Sequence, residues 1–500
     1  MALTTILLLL LPLFVLAPFI FRLVFRLLGS YLIHRTASRR QLLLPNGGNI
    51  IAFFHPFCNA GGGGERVLWA AIRATQDRWP DAVCIVYTGD HDAEKNTIID
   101  RVRDRFNIRL DRNTLHFMYL NTRHWVLPST YPYFTLLGQS LGSLVLAVDA
   151  FNLIVPDIYI DTMGFAFTIA LSKLLFPHVP TAAYVHYPTI STDMLQSLDA
   201  DADSGKGLNA GAGDGWKGQA KRKYWKLFAA LYSWTGSSVD VVMTNSSWTK
   251  EHIQELWGPS RQKVKSIQKD DQEIAVIFPP VAVAELDDKI PLSAASEMLR
   301  QRHLLYIAQF RPEKNHALII DAFSELLKSR EWPAGQRPSL ILLGSVRDGE
   351  DKLRVYKFRL QVHALQMKSD VVFVLNASWP RVLDRLQSSS IGVNGMWNEH
   401  FGIGVVEYQA AGLISVVNDS GGPKRDIVVE VGGQQTGFHA STASEYAAAF
   451  ARALDLSPTD TLAMRKRARE SARRFSEKKF ATRWVEQMEK LVKLQKGKKR

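Results

Sequence analysis

Cysteine is nearly absent from this 500-residue chain, where Cys58 and Cys84 stand alone. Two thiols are too few for a disulfide framework, so the folded body belongs in a reducing compartment. Charge is missing altogether from residues 1–21, so no basic residue precedes the apolar run there, and an anchor is expected over a cleaved signal peptide. The body between the two termini also lacks a strong net charge. The formal total is +13, but most of it comes from five Arg between residues 22 and 40 and from six Lys or Arg against two Glu between residues 486 and 500. Basic residues confined to the ends fit an anionic membrane surface. A nucleic-acid groove needs them spread over a folded face, so nucleic acid is not an expected partner.

The uncharged start is itself informative. At 1.5 Å per helical residue, about 20 apolar residues cross a bilayer core. Arg22, Arg26, Arg35, Arg39 and Arg40 follow the run where a signal peptide would have a small-residue cleavage site, so residues 1–30 read as a single-pass anchor with the body on the cytosolic side. A second apolar stretch, Tyr133 to Val155, holds only Asp149 as a charge. It reads either as a buried helix followed by a core strand or as a monotopic membrane-contact surface. Asn245, Asn376 and Asn418 open N-x-S sequons. The last two fall at what read as buried strand ends, which suits a cytosolic body.

From residue 45 onward, short β-branched or aromatic runs alternate with helical patterns, as in stacked βαβ units. Strands are expected at 49–54, 82–87, 154–160, 182–186 and 239–244, and again at 303–307, 339–343, 370–374, 390–393 and 414–418. Adjacent prolines in Ile277-Phe278-Pro279-Pro280-Val281 place a boundary just beyond them. The expected organisation is an anchor (1–30), two doubly wound Rossmann-like domains (45–285 and 286–474), and a helix with a basic tail (475–500). The apolar spacing of Phe475, Phe480, Trp484 and Met488 predicts that this helix returns to the first domain.

Four segments sit where ligands bind in such sheets, at strand ends. Asn398-Glu399-His400-Phe401-Gly402-Ile403-Gly404-Val405-Val406-Glu407 follows a strand and opens a helix. Its glycines allow close backbone approach, its helix start favours phosphate, and its two carboxylates can address different hydroxyls of one ligand. Gln309-Phe310-Arg311-Pro312-Glu313-Lys314-Asn315-His316 puts a forked cation and a point cation in a strand-to-helix turn, which suits a diphosphate. Asn59 to Arg66, with glycine at 61 to 64, can form a nest of backbone donors for an anion, although it is neither a P-loop nor a dinucleotide fingerprint. Val185-His186-Tyr187-Pro188 places an imidazole at a strand end, with no zincin motif or nucleophile elbow beside it. Asp199-Ala200-Asp201-Ala202-Asp203 resembles metal-holding acidic pairs, but it lies in a low-complexity insertion and no metal site is expected there.

Taken in this order, the motifs resemble the GT-B glycosyltransferases of family four over residues 48–490. His55-Pro56-Phe57-Cys58-Asn59, together with the Tyr184 to Met194, Ile277 to Val281, Ile307 to His316 and Asn394 to Glu407 segments, narrows the resemblance to GDP-mannose-dependent α-1,2-mannosyltransferases of dolichol-linked oligosaccharide assembly. The resemblance implies a GT-B fold with an N-terminal acceptor domain and a C-terminal donor domain. It further implies metal-independent, retaining transfer of two successive mannoses from GDP-mannose to a trimannosyl-chitobiosyl diphosphodolichol, at the cytosolic face of the endoplasmic reticulum. In that family Glu399 would bind the donor mannose, Glu407 the ribose, and Arg311 with Lys314 the diphosphate. Gly62, Gly63 and Gly64 would lie over the phosphates, Phe401, Gly402 and Ile403 would line the donor, and His186 would sit near the transferred sugar. Membrane lipid and other mannosyltransferases of the same assembly line are the implied neighbours.

Overall fold

The computed structural model describes residues 2–45, 47–191, 194, 216–263 and 273–498. Two sheets, parallel throughout, form the body. The first contains β1 (Ile50–Phe54), β2 (Val83–Thr88), β3 (Leu115–Tyr119), β4 (Ile158–Asp161), β5 (Thr181–Val185), β6 (Val241–Thr244) and β7 (Ile274–Val276), in the order β3-β2-β1-β4-β5-β6-β7. The second contains β8 (Gln301–Ile307), β9 (Ser339–Gly344), β10 (Val371–Leu375), β11 (Ser389–Asn394), β12 (Ile414–Asn418) and β13 (Gly437–Ala440), in the order β10-β9-β8-β11-β12-β13.

Period-two alternation explains why helices cover both faces of each sheet. Along β1, Ile50, Ala52 and Phe54 face one hydrophobic core, while Ile51 and Phe53 face another. The second of these cores is closed by the C-terminal helix Glu477–Lys498, whose Phe480, Trp484, Met488 and Leu491 pack into it. The Trp484 indole N–H donates to the Thr75 hydroxyl at 3.0 Å.

The N-terminal helix runs unbroken from Ala2 to Leu43 and so continues past residues 1–30, the span expected as the anchor. Its 16–43 portion is apolar and long enough to cross a membrane. Its C-terminal part is tied to the first domain: Leu32 is buried, Gly29 lies against the Leu175 carbonyl, and Arg40 pairs with Asp157 at 2.6 Å. The second apolar stretch forms the helix Thr135–Leu153 and combines features of both readings given above. Leu146, Ala147, Ala150 and Phe151 are in the core, whereas Leu141, Val145 and Val148 are exposed. Cys58 and Cys84 are buried free thiols. Asn418 is buried as read, but Asn376 is exposed because β10 is an edge strand. Asp199 to Asp203 lie outside the described residues.

Candidate active site

In the first sheet strand order reverses between β1 and β4, and in the second between β8 and β11. The loops leaving the carboxyl ends of such a pair diverge and open a crevice. The four sequence segments occupy loops at the carboxyl ends of β1, β5, β8 and β11.

In the second domain the site is charged. Asn315, at φ 50°, ends the short turn Pro312–Lys314 and starts the helix His316–Lys328. The turn leaves the Lys314 Nζ 2.5 Å from Glu399 Oε2 and 3.1 Å from Met396 Sδ. An ammonium has three donors, so one remains for a ligand. Burial would raise the Glu399 carboxyl, but the Lys314 charge and hydrogen bond, helped by His400 and Asn394, hold it below the usual range. Glu399 is therefore an ionised acceptor for hydroxyls. Arg311 is half-exposed, with an Nη1 3.6 Å from Glu313 and an Nε that has no hydrogen-bond partner among the described residues. Gly402, at φ 102°, turns the chain into the helix Ile403–Ala411, a conformation that L side chains rarely adopt. Glu407 lies in that helix, half-buried. Burial raises its carboxyl, opposed by the Arg66 charge.

The first domain contributes mostly neutral groups. The Gly62 amide donates to the Glu65 carboxylate, which also accepts from the Ala60 and Glu65 amides. The glycine nest is thus filled by the protein's own carboxylate. Gly63 and Gly64 remain, at the first turn of the helix Gly63–Arg78, where amides have no intrahelical acceptor. A Cβ on Gly63 would lie 2.8 Å from Ile403 Cδ1, and one on Gly64 3.8 Å from His186 Nε2. Gly63 therefore lets the two halves of the cleft approach each other, while Gly64 leaves room beside His186 within the first domain. The His186 ring bonds the Thr162 backbone, while its Nε2 is buried with no protein partner among the described residues. Burial, reinforced by nearby His400, lowers its pKa to about 4, so at neutral pH the ring presents an acceptor lone pair. Beside it, His55 Nδ1 lies 2.8 Å from the Thr162 hydroxyl.

The expected donor residue Phe401 also has a place in the core. The Phe401 ring is 3% exposed and packs between Phe278 and Phe475, with centroids 5.7 and 5.4 Å away, so only its backbone can meet a ligand. The structure also adds residues that motif reading passed over. Tyr187 stacks on His400 with centroids 4.1 Å apart, and Trp248 stacks behind at 5.5 Å. This aromatic pile bridges the cleft. Ser247 N–H donates to Asp426 at 2.9 Å and Arg425 pairs with Glu251, joining the same two domains. Tyr187 and His400 were inside quoted motifs, but nothing in spacing marks a stack that forms only when two domains meet. Gly138-Gln139-Ser140-Leu141-Gly142 has the G-x-S-x-G spacing of a nucleophile elbow, but it lies inside a helix with Ser140 buried, not on a strand-to-helix turn.

Comparison with known proteins accounts for this arrangement. The family profile described as ALG11 mannosyltransferase N-terminus matches residues 48–257, and that of glycosyl transferases group 1 matches residues 294–475. The GDP-Man:Man(3)GlcNAc(2)-PP-Dol alpha-1,2-mannosyltransferase of Neurospora crassa is 63% identical over 89% of this chain and 80% of its own length. The chain belongs to this mannosyltransferase family. The Homo sapiens member is 44% identical over 90% of this chain and 88% of its own. Among solved structures, a glycosyltransferase from Rickettsia africae superposes with a TM-score of 0.58 at 15% identity, covering 89% of this chain and 99% of that one. A sucrose-phosphate synthase from Thermosynechococcus elongatus gives 0.61 at 14%, covering 89% and 99%. At such identities these two speak for the fold alone, which is GT-B. The mannosyltransferase therefore presents a charged wall on one side of its crevice and a neutral one on the other.

Proposed function

We propose that this chain transfers two successive α-1,2-linked mannoses from GDP-mannose to the Man3GlcNAc2 diphosphodolichol acceptor, with retention of anomeric configuration. The observation that carries the reading is the 63% identity to the Neurospora crassa enzyme, which extends through both walls of the cleft. The geometry fits it. Glu399, kept ionised by Lys314, accepts hydroxyls of the donor mannose, and Glu407 those of the ribose. Arg311, the remaining Lys314 donor, and the Gly63 and Gly64 amides surround the diphosphate as it departs and stabilise its growing charge. Neutral His186 accepts from a sugar hydroxyl through Nε2 and so orients the transferred residue.

Two cations at a strand-to-helix turn supply the charge that a divalent metal supplies in other transferases, and metal-independent turnover follows from this reading. The apolar N-terminal helix and its arginines support a single-pass location in the endoplasmic reticulum membrane, with both domains cytosolic. The test is transfer from GDP-mannose to a synthetic trimannosyl-chitobiosyl diphospholipid in EDTA, with detergent-purified protein and linkage-specific mannosidase digestion of the product. Addition of two α-1,2 mannoses is the expected result. Transfer only from another nucleotide sugar, or only with added metal, would overturn the corresponding part.

A further inference from the structure

The first domain holds a second concave site, outside the donor wall, formed by the loops that leave three neighbouring strands. Phe57 and Asn59 follow β1, Asp90, His91 and Asp92 follow β2, and Arg123 follows β3; together they line a cavity of about 470 Å³. That volume lies within the range of small-ligand sites, roughly 300–1,000 Å³.

Its chemistry selects among the parts of a lipid-linked acceptor. Arg123 is already committed: it pairs with buried Asp90, and its guanidinium lies over the Phe57 ring, 5.2 Å from the centroid. Asp90 is held in place by the Asn59 amide at 3.0 Å. Asp92 is exposed and accepts a long hydrogen bond of 3.4 Å from the Asn59 side chain. Two carboxylates against one neutralised guanidinium leave the cavity with a negative balance. That balance repels a diphosphate and suits a neutral polyol, whose hydroxyls donate to carboxylates and amide oxygens.

Location argues the same way. Asn59 leads directly into the glycine turn, whose Gly63 touches Ile403 of the donor wall. On the far side, Arg123 begins the short turn Arg123–Val126, which packs on the helix Thr135–Leu153. Trp125, Leu141 and Val145 are exposed there. A sugar in the cavity thus has the donor on one side and an apolar surface for its lipid on the other.

We propose that this cavity is the subsite for the neutral, non-reducing mannose end of the acceptor, with Asp92 and Asn59 as its specificity-determining contacts. The inference rests on the mannosyltransferase reading above. Its test is steady-state transfer by the full-length Asp92→Ala and Asn59→Ala variants, with GDP binding measured alongside by calorimetry. The expected result is a rise of about tenfold in KM for the acceptor, the size of one or two lost hydrogen bonds, with KM for GDP-mannose and GDP affinity unchanged. In the wild type, free α-linked mannotriose should bind in the presence of GDP, seen by saturation-transfer NMR, and Asp92→Ala should weaken it. Unchanged acceptor KM in both variants, or inorganic pyrophosphate displacing the mannotriose at this site, would overturn the subsite. A wild-type protein that binds GDP yet transfers nothing to the trimannosyl acceptor would instead overturn the function on which it rests.

Discussion

The two domains share one topology and treat charge in opposite ways. After the first strand of the second sheet come Arg311 and Lys314, and after the fourth comes ionised Glu399. At the matching places in the first sheet stand a glycine turn whose anion nest is already filled, and Asp161, whose carboxyl burial pushes up to about 7 against the pull of the Met163, Gly164 and Phe165 amides. Such a carboxyl is only partly ionised at neutral pH, and His55 and His186, lowered to about 3 and about 4 mainly by burial, are neutral. In the function proposed above, the same crevice geometry serves a charged nucleotide sugar on one wall and an uncharged oligosaccharide on the other. Fold fixes where ligands lie, and side-chain electrostatics decide which ligand lies where.

The largest effect should come from the feature that makes the domains unequal in stability. The first domain's core is completed by residues from the far end of the chain, so Trp484→Ala should destabilise it by about 3–5 kcal/mol, as for other buried aromatics. Hydrogen exchange should then show β1 losing protection well before β8. Equal loss in both sheets would mean that the domains unfold as one unit. Next comes the charged wall. Glu399→Ala should lower kcat/KM by about 100-fold or more, and Glu399→Gln by less, with the thermal midpoint of Glu399→Gln close to wild type. Activity of Glu399→Ala within a factor of two of wild type would sink the assigned donor contact. On the neutral wall, His186→Ala should cut kcat by about tenfold to 100-fold while leaving KM for GDP-mannose nearly unchanged, because the proposed function has the ring facing the transferred sugar and not the nucleotide.

How much of this could be read from the residues follows the same division. Central strands such as β1 and β12 are buried on both faces, so their apolar runs stand out in the sequence. The three strands that patterning omits, β3, β7 and β13, all lie at sheet edges. In β3, Leu-His-Phe-Met-Tyr, only Leu115 is fully buried, which leaves a weak apolar signal. The charged wall was legible because carboxylates and cations at strand ends are unusual. The neutral wall was mostly not. Whether His186 points into the cleft, or Glu65 fills a nest, depends on contacts between loops more than a hundred residues apart or on backbone geometry that no spacing encodes. The core packing of the Phe401 ring was not legible either, because the residue stands inside a ligand-binding motif.

The smallest effect, and the sharpest probe of the neutral wall, is pH. His55, His186 and His400 sit at about 3, 4 and 4 in the folded protein against 6.5 when unfolded, with burial the main cause in each. Between those values the unfolded chain binds more protons, so each imidazole withdraws stability as pH falls below 6.5, about 2 kcal/mol by pH 5. Asp161 has the opposite sign. Its carboxyl, raised from 3.8 to about 7, binds more protons when folded, so it withdraws stability as pH rises through that window. The two trends partly cancel in the wild type. Asp161→Asn removes the carboxyl's share and should steepen the fall in thermal midpoint from pH 7 to pH 5. His186→Asn should flatten the same fall. Transfer rates should meanwhile show no imidazole inflection near 6.5, because His186 stays neutral across the range. An inflection there that disappears in His186→Asn would mean that the ring titrates in the open cleft, and the contrast between a charged and a neutral wall would then hold only for the closed state.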